Sequence, residues 1–206
     1  MAAAAAASAV DVKEPLPSQQ KEEPTIPVPV VRNVISYVDL GKPLPIKELA
    51  MYLPNTRYRP KKYAAVVIRL RTPSATVMAW PNGTLVVTGT DSADANCVAA
   101  KLCQRMISSL VPGIQFKDFQ TRNMSASFNQ SFRIRLEALA AHHEDEACCD
   151  KEATRGFPGC IYRFPNSKVT ALIFSSGMTT INGCQTMDQL RAAAATLYPI
   201  LYAFRA

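Results

Sequence analysis

The rhythm of apolar and polar positions changes at about residue 31. Val31–Leu40 reads as a strand, and apolar residues at helical spacing over Leu44–Leu53 predict a short helix. Tyr63–Arg71 (YAAVVIRLR), Thr76–Trp80 and Leu85–Thr88 are β-rich runs, broken by the turn signals Pro73 and Asn82-Gly83. Asp91–Leu110 then reads as a long amphipathic helix. Because strand side chains alternate between faces, Met78 and Trp80 share one face and Val77 and Ala79 the other; Val86 and Thr88 likewise oppose Leu85 and Val87. Both faces are apolar. If helices cover only one of them, the other is a binding surface.

The same order of elements recurs. Asn33 finds its counterpart at Asn123, and LPIKELA (Leu44–Ala50) at IRLEALA (Ile134–Ala140), both at an offset of 90. Further on, Tyr63 matches Phe157, Arg69 matches Arg163, Trp80 matches Phe174 and Thr88-Gly89 matches Asn182-Gly183, all at an offset of 94. The difference falls in the hydrophilic loop His142–Arg155. Each unit therefore reads strand, short helix, four strands, long helix. Two such units with complementary edges predict an α+β fold, one continuous antiparallel sheet with the helices on one face. The boundaries read as an N-terminal tail over 1–30, repeat 1 over 31–122 and repeat 2 over 123–206.

Composition narrows the reading. A chain of 206 residues, 48% apolar and 19% charged, can bury a sizeable core and is neither collagen-like nor a disulfide miniprotein. The richest apolar run, Ala192–Phe204, is too short for a membrane span and contains Pro199, so a soluble protein is expected. The opening alanine tract has no basic stretch before it, which argues against a secretory leader. Polyalanine, five prolines and mixed charge predict a disordered tail over residues 1–30. Residues 1–31 carry 2 basic and 4 acidic side chains, net −2; residues 32–122 carry 13 and 5, net +8; residues 123–206 carry 8 and 7, net +1. That balance favours a polyanionic partner, bound chiefly through the first half. The six cysteines show no framework spacing and read as reduced thiols of a cytosolic or nuclear protein. The adjacent pairs His142-His143 and Cys148-Cys149 fit zinc spacing poorly, so no metal or other cofactor is expected. With no phosphate loop, nucleophile elbow or catalytic carboxylate pair, neither is an enzyme.

The ordered motifs RPKKYAAVVIRLR, GTLVVTG, FKDF, IRLEALA, GFPGCIYRF, ALIFSSG and YPILYAFR carry a family likeness over about Val31–Arg205. The chain resembles the saddle-shaped core of the TATA-box-binding protein (TBP) family, in the form of a divergent TBP-related factor, the trypanosomatid type being one candidate. The resemblance implies a curved sheet with its helices on the convex face. It also implies a concave face that clamps the DNA minor groove and wedges aromatic side chains between base steps, a mode for which TBP is the standard case. The wedge positions are Tyr63 and Trp80 in repeat 1 and Phe157 and Phe174 in repeat 2. The groove floor falls on Asn33, Ile35, Met78, Val86 and Thr88, and on Asn123, Ser125, Leu172, Thr180 and Asn182. Ser125, Thr180 and Asn182 depart from the family's apolar residues and threonine, and predict that the second half tolerates G·C pairs, whose guanine amino group needs an acceptor. Lys61, Lys62, Arg69, Arg71, Arg163 and Lys168 fall where the family meets phosphates.

The resemblance further implies a nuclear general transcription initiation factor that bends promoter DNA and nucleates the preinitiation complex. Its protein partners would be transcription factor IIA or negative cofactor 2, transcription factor IIB or a IIB-related protein, and a small-nuclear-RNA activating complex. Lys101 and Arg105 on the long helix and Arg155 before the second wedge are the partner-facing candidates, although other expected charges are absent there. A bare apolar face also suggests weak self-association. The competing reading is a TBP-like scaffold that binds transcription factors with little DNA bending.

Overall fold

The computed structural model describes residues 26–149 and 156–206. Most of the expected tail, residues 1–25, and Arg155 lie outside the described residues. The chain runs β1 (Val30–Asp39), α1 (Ile46–Tyr52), β2 (Thr56–Tyr58), β3 (Val66–Arg71), β4 (Ser74–Ala79), β5 (Thr84–Thr90) and α2 (Ala93–Ser108). The series then repeats as β6 (Lys117–Asn129), α3 (Leu136–His142), β7 (Ala147–Cys148), β8 (Cys160–Arg163), β9 (Thr170–Ile173), β10 (Met178–Cys184) and α4 (Met187–Ala203). All ten strands join one antiparallel sheet in the order β2-β3-β4-β5-β1-β6-β10-β9-β8-β7. The expected α+β architecture is therefore present, with β1 and β6 at its centre.

Local chemistry sets the corners. The β4–β5 hairpin closes through Trp80, whose carbonyl accepts from Gly83 N–H at 3.0 Å and whose N–H donates to Thr84 at 2.9 Å. Gly83 sits at φ +96°, and a Cβ there would collide with the Lys42 carbonyl, so the position admits only glycine. The long helices start on hydroxyl caps: Ser92 Oγ accepts from Ala95 N–H and Thr186 Oγ1 from Gln189 N–H, each at 3.2 Å.

Alternation decides which face is covered. Val34, Ser36 and Val38 of β1 are buried, while Asn33, Ile35 and Tyr37 are not. In the first half, Val66, Ile68, Val77, Ala79, Leu85 and Val87 meet Leu49 of α1 and Ala99, Ala100, Cys103 and Ile107 of α2. In the second half, Ala126, Phe128, Tyr162, Ala171, Ile173 and Ile181 meet Leu139 of α3 and Leu190, Ala194, Leu197 and Leu201 of α4. The helices thus share one side of the sheet, and the other side is open.

The two cores differ in chemistry. Asn96 of α2 is fully buried, donates through Nδ2 to the Val34 carbonyl (2.9 Å) and Ser36 Oγ (3.1 Å), and accepts from Thr90 Oγ1 (2.9 Å). Its repeat counterpart is Leu190. Conversely, Leu40 and Leu85 are replaced in the second half by Gln130 and Thr179, which are buried with no side-chain hydrogen bond.

The cysteines correct the sequence expectation of six free thiols. Cys149 and Cys160 form a disulfide, because β7–β8 pairing sets Cys148 opposite Ile161 and so brings the next two residues face to face, Cα to Cα 4.2 Å. The link crosses adjacent strands and has no signature in linear spacing. Cys97, Cys103, Cys148 and Cys184 remain free, and burial pushes the Cys103 thiol up to about 12.

Removing an unpartnered buried hydroxyl without changing its shape stabilises a core by about 1 kcal/mol or more. Thr179→Val is accordingly expected to raise the urea midpoint, and Gln130→Met to add to it. An unchanged or lowered midpoint in Thr179→Val would show that the hydroxyl is satisfied in solution.

Candidate nucleic-acid interface

On the open face, strand register aligns the side chains into matching rows. In the first half, Val67, Met78, Val86 and Tyr37 are successive cross-strand partners, and Arg69, Thr76 and Thr88 form a second row. In the second half the rows are Ile161, Leu172, Thr180 and Ser127, and Arg163, Thr170 and Asn182. At the centre, Asn33 lies opposite Ser125 and Ile35 opposite Asn123. Every floor residue expected from the sequence is therefore on this face. The sequence reading missed Val67, Ile161, Thr76, Thr170, Tyr37 and Ser127, although two-residue alternation from Arg69, Met78, Arg163 and Leu172 leads to four of them.

The paired asparagines are fixed by the backbone. Asn33 Oδ1 accepts from Gly89 N–H at 2.9 Å and from Thr88 Oγ1 at 3.0 Å. Asn123 Oδ1 accepts from Gly183 N–H at 2.7 Å. A backbone N–H can only donate, so the carbonyl end of each amide is identified and the NH2 end is left as the group offered to a ligand. Gly89 and Gly183 hold these N–H groups at φ +95° and +93°, a conformation that glycine adopts without strain. The floor is unequal: Ile35, Tyr37, Val86 and Thr88 in the first half face Ser125, Ser127, Thr180 and Asn182 in the second. Arg32 Nε donates to Ser127 Oγ at 2.8 Å, bringing a cation to the edge of the polar half.

The four aromatic candidates divide two and two. Phe157 and Phe174 are in ring contact, centroids 5.3 Å apart and planes at 60°. No such ring contact joins Tyr63 and Trp80 among the described residues. A reason lies two residues beyond the first aromatic. A Cβ on Gly159 would come within 2.7 Å of the Phe157 ring and 2.6 Å of the Ile173 carbonyl, whereas its counterpart Ala65 carries that methyl group. Trp80 and Phe174 themselves sit on identical hairpin corners, Phe174 N–H donating to Met178 and its carbonyl accepting from Gly177 N–H, both at 3.0 Å.

Lys61, Lys62, Arg69, Arg71, Arg163 and Lys168 are all exposed, and none enters an ion pair among the described residues. Arg57, which the sequence reading passed over, lines a shallow recess with Arg69 and Arg71 at the outer strands. Lys101 and Arg105 are exposed on α2, hence on the helix-covered side, with Lys101 Nζ 5.8 Å from the Phe116 ring centre. Cations thus flank a polar and apolar floor bearing amide donors and a wedge-like ring pair. That arrangement suits the groove of a polyanion rather than a reaction centre.

Comparison with known proteins agrees. Residues 28–110 and 118–204 match the family model for transcription factor TFIID (or TATA-binding protein, TBP). Similar proteins include TATA-box-binding protein 1 of Arabidopsis thaliana, 36% identical over 189 residues that cover 92% of this chain and 93% of that one. The TATA-box-binding protein of Saccharomyces cerevisiae is 34% identical over 197 residues, 95% of this chain and 81% of its own. Among solved structures, Methanococcus jannaschii TBP superposes with a TM-score of 0.73 at 24% identity over 86% of this chain and 99% of its own, which shows the saddle fold.

Gly159→Ala is expected to separate the Phe157 and Phe174 rings and to cost about 1–3 kcal/mol in urea unfolding, as overpacking does. Loss of the nuclear Overhauser contact between the two rings would report it. Retention of that contact at wild-type stability would remove the role assigned to this glycine.

Proposed function

The chain belongs to the TATA-binding protein family, and from that premise we propose that its open face clamps the minor groove of promoter DNA, with Phe157 and Phe174 as the principal wedge. It is a general transcription initiation factor that binds promoter DNA, in a family of transcription factors rather than enzymes. The observation that carries the minor-groove reading is the fixed pair of amides: with both Oδ1 atoms engaged, Asn33 and Asn123 offer donors. The minor groove of A·T pairs presents only acceptors, adenine N3 and thymine O2.

The wedge reading rests on ring chemistry. A ring pair inserted at a base step must replace the lost stacking, which two phenylalanines in mutual contact do without burying a hydroxyl. Tyr63 and Trp80 are the secondary wedge, each with a polar atom that needs a partner in the step. Ser125, Thr180 and Asn182 supply acceptors that a guanine amino group can use, so the second half accommodates G·C pairs that Ile35 and Val86 exclude. Phosphate contacts by the six exposed cations, roughly four to six of them at once, give a log–log salt slope near −4 to −5.

Transcription factor IIA or negative cofactor 2 would meet Lys101 and Arg105, and transcription factor IIB, or a IIB-related protein, would meet Arg155. A small-nuclear-RNA activating complex is a further partner, and the nucleus the site of action. The uncovered face supports weak self-association away from DNA. The scaffold alternative is the less favoured reading, because a protein that does not grip DNA has no use for paired outward amides on a cation-flanked face.

A fluorescence-transfer titration on end-labelled A·T-rich and G·C-rich duplexes, at two salt concentrations, tests this. The A·T-rich duplex is expected to bend, and the bend to vanish in the Phe157→Ala, Phe174→Ala double variant. Straight, sequence-blind binding abolished by salt would favour the scaffold. G·C substitution under the second half should cost less affinity than under the first; equal losses would refute the unequal floor.

A further inference from the structure

We propose that the Cys149–Cys160 disulfide is a reversible thiol-oxidation site that controls the Phe157 wedge; this rests on the wedge reading above. Four observations converge on it. The two cysteines close a ring, 11 residues apart in sequence, and that ring contains Phe157. Cys160 is fully buried at the first position of β8, next to Gly159, on which the Phe157 ring packs. The link ties β8 to β7, a two-residue edge strand with little pairing of its own. Finally, the first half makes the equivalent join without a covalent bond, Tyr58 lying opposite Val66.

A cross-link in the reducing compartment proposed for this protein is conditional, since the glutathione pool there opens accessible disulfides. Cys149 is half-buried and Cys160 has no exposed surface, so attack falls on Cys149. A small thiolate bonds to Cys149 Sγ and the Cys149–Cys160 bond breaks; the electron pair leaves on Cys160 Sγ, which takes up a proton. A second small thiol then displaces the first from Cys149. Two protein thiols form, and two small thiols are oxidised to one disulfide. The same steps in reverse, with glutathione disulfide as oxidant, close the ring.

The link holds Cys160 in place and, through the adjoining Gly159 on which the ring packs, the seat of Phe157 before DNA arrives. The oxidised protein is therefore the better wedge, by about fivefold in affinity, the order expected when a side chain is held in place before binding. Cys148, adjacent and free, is not part of the link.

The test compares the full chain equilibrated with glutathione disulfide or with reduced glutathione, on the A·T-rich bending duplex, with thiols counted by maleimide labelling after denaturation. The wild type is expected to lose two thiols on oxidation, to yield the 149–160 cross-linked peptide, and to bind and bend more strongly in that state. Cys149→Ser and Cys160→Val, the latter copying Val66, should sit at the reduced level whatever the buffer, and Cys148→Ser should respond like wild type. Equal affinity and bend in both states, or a thiol count that never changes, overturns the proposal. A wild type that bends the duplex in neither state overturns the wedge reading, and this proposal with it.

Discussion

Where β1 runs antiparallel to β6, Asn33 falls opposite Ser125 and Ile35 opposite Asn123, and every other position on the open face is measured outward from that crossing. The pairing joins two units that otherwise keep separate cores. Irregularities between Val31 and Asn33, and between Ile35 and Ser36, interrupt the ladder at the centre. A one-residue slip of β1 would turn Asn33 into the helix-covered side and expose Val34 and Val38. Burial of Val34, Ser36 and Val38 therefore fixes the Asn33 amide on the open face, alongside its own hydrogen bonds.

Around this centre the halves agree in topology and differ in material. The first half clamps its helix to the central strand with Asn96, a buried amide whose oxygen and nitrogen are both bonded. The second half puts Leu190 there, leaves Gln130 and Thr179 unpartnered in its core, and adds a covalent link at its outer edge. A half that carries unsatisfied polar groups opens more readily than one that does not. The disulfide offsets this at the edge, beside Phe157.

The architecture was legible because each unit repeats its own pattern: offsets of 90 and 94 align helix with helix, and alternation assigns Met78, Val86, Leu172 and Thr180 to one face. The pairing of Asn33 with Asn123 was legible from the repeat, but not their mooring to Gly89 and Gly183, which are adjacent only after the strands pair. The same holds for Cys149 and Cys160, whose meeting depends on the β7–β8 register. Gly159 stands in the open as part of GFPGC, yet its meaning is a missing methyl group, visible only against the Phe157 ring. Pairwise geometry across strands is what a linear reading cannot supply.

Unequal floors have a consequence for polarity. A clamp with identical halves would seat equally well either way round on a duplex, because its pseudo-dyad and that of the groove coincide. Here Ser125, Ser127, Thr180 and Asn182 replace Ile35, Tyr37, Val86 and Thr88, and a phenylalanine pair in contact replaces a tyrosine and a tryptophan that make no such contact among the described residues. The two seatings then differ in energy on any promoter whose ends differ in composition. A protein seated on DNA through this face would carry an arrow that tells upstream from downstream.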